Sequence, residues 1–299
     1  MTGLALASPT VAGRRRATSE RWLNLALLLP GCGFLFVAMA LPAVQLVLAS
    51  FGMAGIGTAG YFTLQNYVDV WQNILFTAAF RFSLQIALAA SVLSVVLATL
   101  MTAVLQVDFP GRRLVSVLCK VPLVVPSLVA AFMVLTIIGP GGMAARLVQP
   151  LGLQWPQSLL TDPSGAGIVL VLLWNSVPVT ILIISAVAAA IPRDIIEAAR
   201  TLGASPARIF LKIMVPLCAP GISAAGLLVF IGAFGTFAIP SLVGPVFPRA
   251  ISVMMTNEFL LHANWGTASV VGVAMVLTTV LVLVLYYLVT ERGREEVAR

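Results

Sequence analysis

Six apolar stretches, each long enough to cross a bilayer, constrain this chain more than any other feature. They run approximately from Leu23 to Ser50, Phe82 to Val107, Leu114 to Ile138, Gly167 to Ile191, Gly221 to Val243 and Thr267 to Val289. The hydrocarbon core of a membrane is about 30 Å thick and takes about 20 helical residues to span. Backbone in lipid must satisfy its own hydrogen bonds, so such stretches are expected to be helices. Only 9% of the 299 residues are charged, and 60% are hydrophobic. A soluble globular chain carries about 25% charged residues. With a mean hydropathy of +1.07, a water-soluble enzyme is excluded, and the sequence predicts an all-α polytopic membrane protein of one domain. Arg14, Arg15 and Arg16 precede the first stretch as they would a secretory signal. Its apolar run far exceeds the roughly 7–15 residues of a signal core, so it is expected to stay as a helix, bent at Pro30 and Pro42.

The basic residues predict the orientation. With both termini in the cytoplasm, Arg14, Arg15, Arg16, Arg21, Arg112, Arg113, Lys120, Arg193, Arg200, Arg208, Lys212, Arg292, Arg294 and Arg299 lie inside. Only Arg81, Arg146 and Arg249 are left outside. Cytoplasmic loops carry the excess of Lys and Arg, so six spans with both ends inside fit. The expected organisation is a cytoplasmic segment at 1–21, a transmembrane domain at 22–290 and a cytoplasmic tail at 291–299. The outer segments contain Trp71, Trp155 and Trp265, expected as interface anchors in contact with membrane lipid.

Few residues are available for chemistry. A nucleotide-binding Walker A loop places its lysine directly after a glycine. Here the only lysines, Lys120 and Lys212, follow Cys119 and Leu211, so no such loop is present. His262, Cys32, Cys119 and Cys218 are widely separated and lack metal-ligand spacing, so no metal and no cofactor is expected in this chain. An isoelectric point near 10.0 is accounted for by positive charge flanking apolar spans, without nucleic acid. All ten carboxylates fall outside the six apolar cores. Proton-driven carriers rely on ionisable groups inside the membrane, so this placement points to energy supplied from outside it.

The cytoplasmic connection at 192–220 has punctuation for two short helices. Pro192 suits a first helical position, Asp194 a first turn, and Gly203 a C-terminal stop. Ser205 caps a second helix with Pro206 at its first position, and Pro216 is expected to end it. Ile195, Ala199 and Leu202 share one stripe of the first helix, while Arg193, Glu197 and Arg200 lie on another. The pattern predicts an amphipathic hairpin with one face on the bundle and one on a partner. Alternatively, Glu197 merely pairs with Arg193 one turn earlier.

Glu197-Ala198-Ala199, three residues, Gly203, nine residues, then Ile213-Met214-Val215-Pro216 resembles the EAA signature of binding-protein-dependent ABC importer permeases. Val215 replaces the usual leucine. The resemblance implies the MetI-like ABC permease fold, a bacterial inner-membrane location, and no ATPase site in this chain. It also implies that Glu197, Ala198, Ala199, Gly203, Ile213 and Pro216 couple it to a separate cytoplasmic ATPase. Two copies of that ATPase, which alone uses ATP, a second permease subunit forming a heterodimer, and an extracytoplasmic solute-binding protein are the implied partners.

Ala233-Phe234-Gly235-Thr236-Phe237-Ala238-Ile239-Pro240-Ser241-Leu242-Val243-Gly244 is similar to the fifth-span exit of spermidine/putrescine-type permeases, relatives of iron(III), thiamine and phosphonate systems. Asn66-Tyr67 and Trp174 with Pro178 add to that likeness. It implies a polyamine or another of these small solutes as substrate, with Gly235, Thr236, Phe237, Pro240 and Ser241 on the translocation path. Polyamine members often carry acids where Thr236 and Ser241 stand. The competing class is an ion-coupled secondary transporter or channel; a blander one is a membrane subunit without a pathway.

Overall fold

The structure, a computed structural model, describes residues 11–53, 60–152, 155–156 and 160–297, with side chains within them at 27–288 and 290. Of the expected terminal segments 1–21 and 291–299, residues 1–10 and 298–299 and the side chains of Arg14, Arg15, Arg16, Glu20, Arg21, Glu291, Arg292, Arg294, Glu295, Glu296 and Arg299 lie outside that description. Among the described residues all regular structure is helical, and six segments are long and apolar enough to cross a membrane.

The chain begins with α1 (Val11–Ser50), apolar over Leu27–Ser50. A short α2 (Gln65–Gln72) precedes α3 (Ile74–Gln106). Between them, the Asn73 side chain accepts the Leu75 N–H at 2.9 Å, a cap that restarts the helix about two turns before the predicted Phe82.

The predicted span from Leu114 to Ile138 is not one helix. It consists of α4 (Arg112–Leu118), a 3-10 turn at Val121–Val124 and α5 (Ser127–Ile138). Pro122 and Pro126 account for the interruption, because a proline ring removes a donor and clashes with the carbonyl four residues back. The crossing segment starts at Ser127 and continues to Leu151 through α6 (Met143–Val148). The fourth span is α7 (Ala166–Ala189), followed by α8 (Arg193–Thr201) and α9 (Pro206–Ile209).

Pro216 does not end the second loop helix. A π turn at Phe210–Met214 joins α9 to α10 (Val215–Gly235), giving one apolar helix over Pro206–Gly235. The Val215 N–H reaches back five residues to the Phe210 carbonyl. That wider turn lets the helix absorb a proline it would otherwise break at. The fifth span therefore starts well before the predicted Gly221 and stops before the predicted Val243. The end of the predicted stretch forms a separate helix, α11 (Ala238–Val243), and α12 (Ile251–Leu260), which apolarity did not mark, follows. The final α13 (Trp265–Val297) runs on past residue 290.

The bundle is organised around α3, α7 and α10, which pack on one another, with α13 against α1, α2 and α12. Apolar side chains gain little by leaving lipid for protein, so close approach of small residues holds such helices together. Ala87, Ala90, Ser94, Ala98 and Thr102 form a buried stripe on α3. Gly221 faces Val187 of α7 so closely that a Cβ would come within 2.6 Å of its Cγ2. Polar bonds cross the same interfaces: Ser91 Oγ donates to the Gly226 carbonyl at 2.6 Å, and Thr102 meets Ser185 at 3.3 Å. Such bonds average about 0.6 kcal/mol each in membrane bundles.

Candidate functional site

The hairpin between the fourth and fifth spans is built largely by backbone chemistry. At the end of α8 the Gly203 N–H bonds the Arg200 carbonyl at 2.9 Å, and the Ala204 N–H bonds the Ala199 carbonyl at 3.0 Å. This is the Schellman stop, which needs a left-handed residue. Gly203 supplies it with φ +77°, and nothing lies within 4 Å of where its Cβ would be. Two residues later Ser205 Oγ accepts the Arg208 N–H at 3.4 Å and caps α9. The predicted turn, stop and cap are thus all present; Pro192 sits just before the first helical residue rather than on it.

Of the two arms, α9 buries Ile209 while α8 stays exposed. No residue of α8 is buried, and the helix packs against α9. In the apolar stripe of Ile195, Ala199 and Leu202, Ile195 is 42% and Leu202 88% exposed, so this face does not rest on the bundle. Glu197 and Ala198 are exposed and Ala199 half-buried. Among the described residues no ion pair joins Glu197 to Arg193. The Glu197 backbone carbonyl accepts Thr201 Oγ1 at 3.0 Å, and the Glu197 side chain is exposed. Arg193, Asp194, Arg200, Arg208 and Lys212 are exposed around it. Ile213 lies in the π turn and Pro216 just beyond it, at the root of the fifth span and on a different element from Glu197.

At the other end of that span Gly235, Thr236, Phe237, Pro240 and Ser241 surround a helix break. Thr236 is extended (φ −69°, ψ 134°). The break follows from Pro240: in a continuous helix its N–H would bond the Thr236 carbonyl, but proline has none. The carbonyl accepts Ser252 Oγ of α12 instead, at 2.6 Å. The adjacent Ile251 N–H, the first of α12, donates to Ser83 Oγ of α3 at 2.7 Å. Irregular backbone at membrane depth is tolerated where protein satisfies it, and these two hydroxyls do so. Ser83 and Ser252 carry no local sequence signal; their only trace is the missing N–H of Pro240. Gly235 and Ser241 are exposed, Phe237 is 44% exposed, and Pro240 is buried.

Trp71 and Trp265 sit at ends of α2 and α13, and Trp155 lies between α6 and α7. Trp71 is exposed with its ring edge-on to Phe76, Trp155 Nε1 donates to the Ile138 carbonyl at 2.8 Å, and Trp265 packs on Phe259. The described carboxylates Asp69, Asp108, Asp162, Asp194, Glu197 and Glu258 all lie outside the six apolar segments. Hydrogen bonds from the Ser164 side chain and then its N–H hold the Asp162 carboxyl below the usual carboxylate range. Among the described residues no three His, Cys, Asp or Glu side chains come together. A cavity of about 250 Å³ between α2, α3 and α13 is apolar and separate from both the hairpin and the break.

Comparison with known proteins agrees with this architecture. The family model described as binding-protein-dependent transport system inner membrane component matches residues 91–295. A trehalose transport system permease of Mycobacterium tuberculosis is 31% identical over 175 residues, 58% of this chain and 57% of that protein. The spermidine/putrescine permease PotB of Haemophilus influenzae is 26% identical over 75% of this chain and 78% of its own. A probable sulfate permease of Nephroselmis olivacea is 27% identical over 74% and 77%. In structure the chain is similar to a bacterial alginate ABC transporter crystallised with its pentasaccharide-bound periplasmic protein, at TM-score 0.81 and 17% identity over 93% of this chain and 96% of that one. With the match over residues 91–295 and the same fold, this six-span chain belongs to the inner-membrane permeases of binding-protein-dependent ABC transport systems.

Proposed function

We propose that this chain forms a translocation pathway in an ABC importer and couples it to a separate cytoplasmic ATPase through the α8–α9 hairpin. One observation carries the reading: Glu197 of α8 and Leu202 just after it stand unburied beside a backbone-specified turn. An apolar residue such as Leu202 standing 88% exposed beside a free carboxylate is what a protein partner would cover. ATP is used by two copies of that partner and not by this chain. A different permease subunit completes the pathway, and an extracytoplasmic binding protein delivers the solute. Both termini lie in the cytoplasm.

The substrate proposed is a polyamine, with iron(III), thiamine or phosphonate as the related choices. The fifth-span exit and the PotB relative support it. Trehalose and sulfate permeases among the relatives widen the range that must be tested. No carboxylate stands in the stretch from Gly235 to Ser241, so selection of a polycation would fall to the binding protein. Titrating that protein with spermidine, putrescine, trehalose and sulfate decides it, and binding of trehalose or sulfate alone sinks the polyamine reading. For coupling, Glu197→Lys is expected to lose uptake with insertion intact. Normal uptake and normal ATPase association would refute the assignment. Uptake that survives vanadate and follows an ion gradient would favour a secondary carrier instead.

A further inference from the structure

We propose that Ser252 and Ser83 are positioning residues of a clasp that holds the outer end of the fifth span closed. The proposal deepens the permease reading and rests on it for the meaning of the motion. From the capped start at Pro206 to Gly235 the fifth span is one helix, about 45 Å long. Displacement of the hairpin at its root is therefore delivered to its far end, where regularity stops at Thr236. Beyond that point α11 buries Ile239, Pro240 and Val243 against α5 and α7.

Two consecutive residues of α12 join this break to the rest of the bundle. Ser252 supplies the Thr236 carbonyl with the donor that Pro240 cannot, at 2.6 Å. Ile251 hands its N–H to Ser83 at 2.7 Å, which anchors α12 on α3. Both serines are almost fully buried, 3% and 4% exposed, so neither bond is easily replaced by water. The clasp thus runs from α3 through α12 to the end of the moving helix. Both bonds use hydroxyls on backbone groups, so they can break and reform without stranding a charge in the membrane. Losing either hydroxyl leaves a buried N–H or C=O without a partner in the closed form, which favours opening by about ten- to a hundredfold.

Val243, fully buried in α11, is the reporter. In a chain with Cys32, Cys119 and Cys218 replaced and Val243→Cys introduced, a membrane-impermeant maleimide is added outside intact cells. The parent labels slowly, whereas Ser252→Ala and Ser83→Ala label at least about tenfold faster. Adding Pro240→Ala restores an N–H facing the Thr236 carbonyl, so it slows labelling in Ser252→Ala but not in Ser83→Ala. General loosening of the fold would not give that selective rescue. If an alanine variant fails to reach the membrane, Ser252→Thr and Ser252→Val, close in volume and differing in the hydroxyl, replace it. The valine variant labels fast and the threonine variant slowly. Equal rates in that pair, parental rates in both alanine variants, or equal rescue by Pro240→Ala in both overturn the clasp. Labelling at rest needs neither ATP nor a partner, so failure of the coupling reading in Glu197→Lys leaves this result standing.

Discussion

Gly203 offers a graded test of whether the hairpin works through its backbone. Its φ of +77° is demanded by the Schellman stop, yet nothing lies within 4 Å of the place a Cβ would take. In the free chain a side chain there would therefore cost strain and no clash. A left-handed alanine costs about 1 kcal/mol, a β-branched valine about 2, and asparagine a few tenths. Proline would also lose the N–H that bonds the Arg200 carbonyl, and its ring fixes φ near −65°. Because α8 buries no residue, no packing offsets the strain, and a helix of nine residues is marginal by itself. The loss should appear directly as weaker association with the ATPase: about fivefold for Gly203→Ala and about thirtyfold for Gly203→Val. Gly203→Asn should stay near the parent, and Gly203→Pro should fall below detection. The assay is binding of the purified ATPase to the permease in lipid nanodiscs, with uptake measured in parallel. Equal defects in Asn and Val would refute the backbone argument and indicate direct contact of position 203 with the partner. No defect in Val or Pro would refute the role of the hairpin altogether.

Further outcomes follow from the same geometry. Glu197→Lys should lose uptake while Glu197→Gln retains part of it, measured as ATP-driven accumulation in proteoliposomes, since only charge reversal repels a basic partner surface. Gly221→Ala should destabilise the bundle by about 1–3 kcal/mol, read by thermal unfolding in detergent, because its Cβ meets Val187 Cγ2 at 2.6 Å; adding Val187→Ala should recover most of the loss. Asp162 has a folded-state pKa lowered by its bonds from Ser164, so the turn leading into α7 is stabilised above the ordinary carboxylate range and loosens only as pH falls through the lowered value. Hydrogen exchange at Gly165, whose N–H bonds the Asp162 carbonyl at 2.9 Å, should be unaffected by acidification from pH 7 to 5, apart from the intrinsic rate change, and Ser164→Ala should move the loss of protection upward in pH.

What could be read from the sequence was local. The stop at Gly203 and the cap at Ser205 depend on residues within five positions, and glycine and serine announce them. The number of spans was equally plain, since apolar length alone decides it. Continuity was not. Pro216 looks like a terminator, but a π turn five residues wide carries the helix past it, whereas Pro122 and Pro126 do interrupt the third span. The same residue type gives opposite outcomes: before Pro216 the Val215 N–H reaches the Phe210 carbonyl within a π turn and the helix continues, whereas before Pro126 the chain leaves the helix through the extended Val125 (φ −89°, ψ 118°). α12 was hidden because it joins the bundle through contacts distant in sequence, such as the 168-residue separation between Ser83 and Ile251. The outward orientation of Ile195 and Leu202 was hidden for a related reason: an amphipathic stripe shows that something covers it, not whether the cover belongs to the same chain.

The account stands most directly on what touches Leu202. A photo-crosslinking residue placed there, in cells making the whole transport system, should form an adduct with the cytoplasmic ATPase and be lost in Gly203→Pro. Normal uptake with no ATPase adduct from position 202, or an adduct only with this chain's own spans, would contradict it.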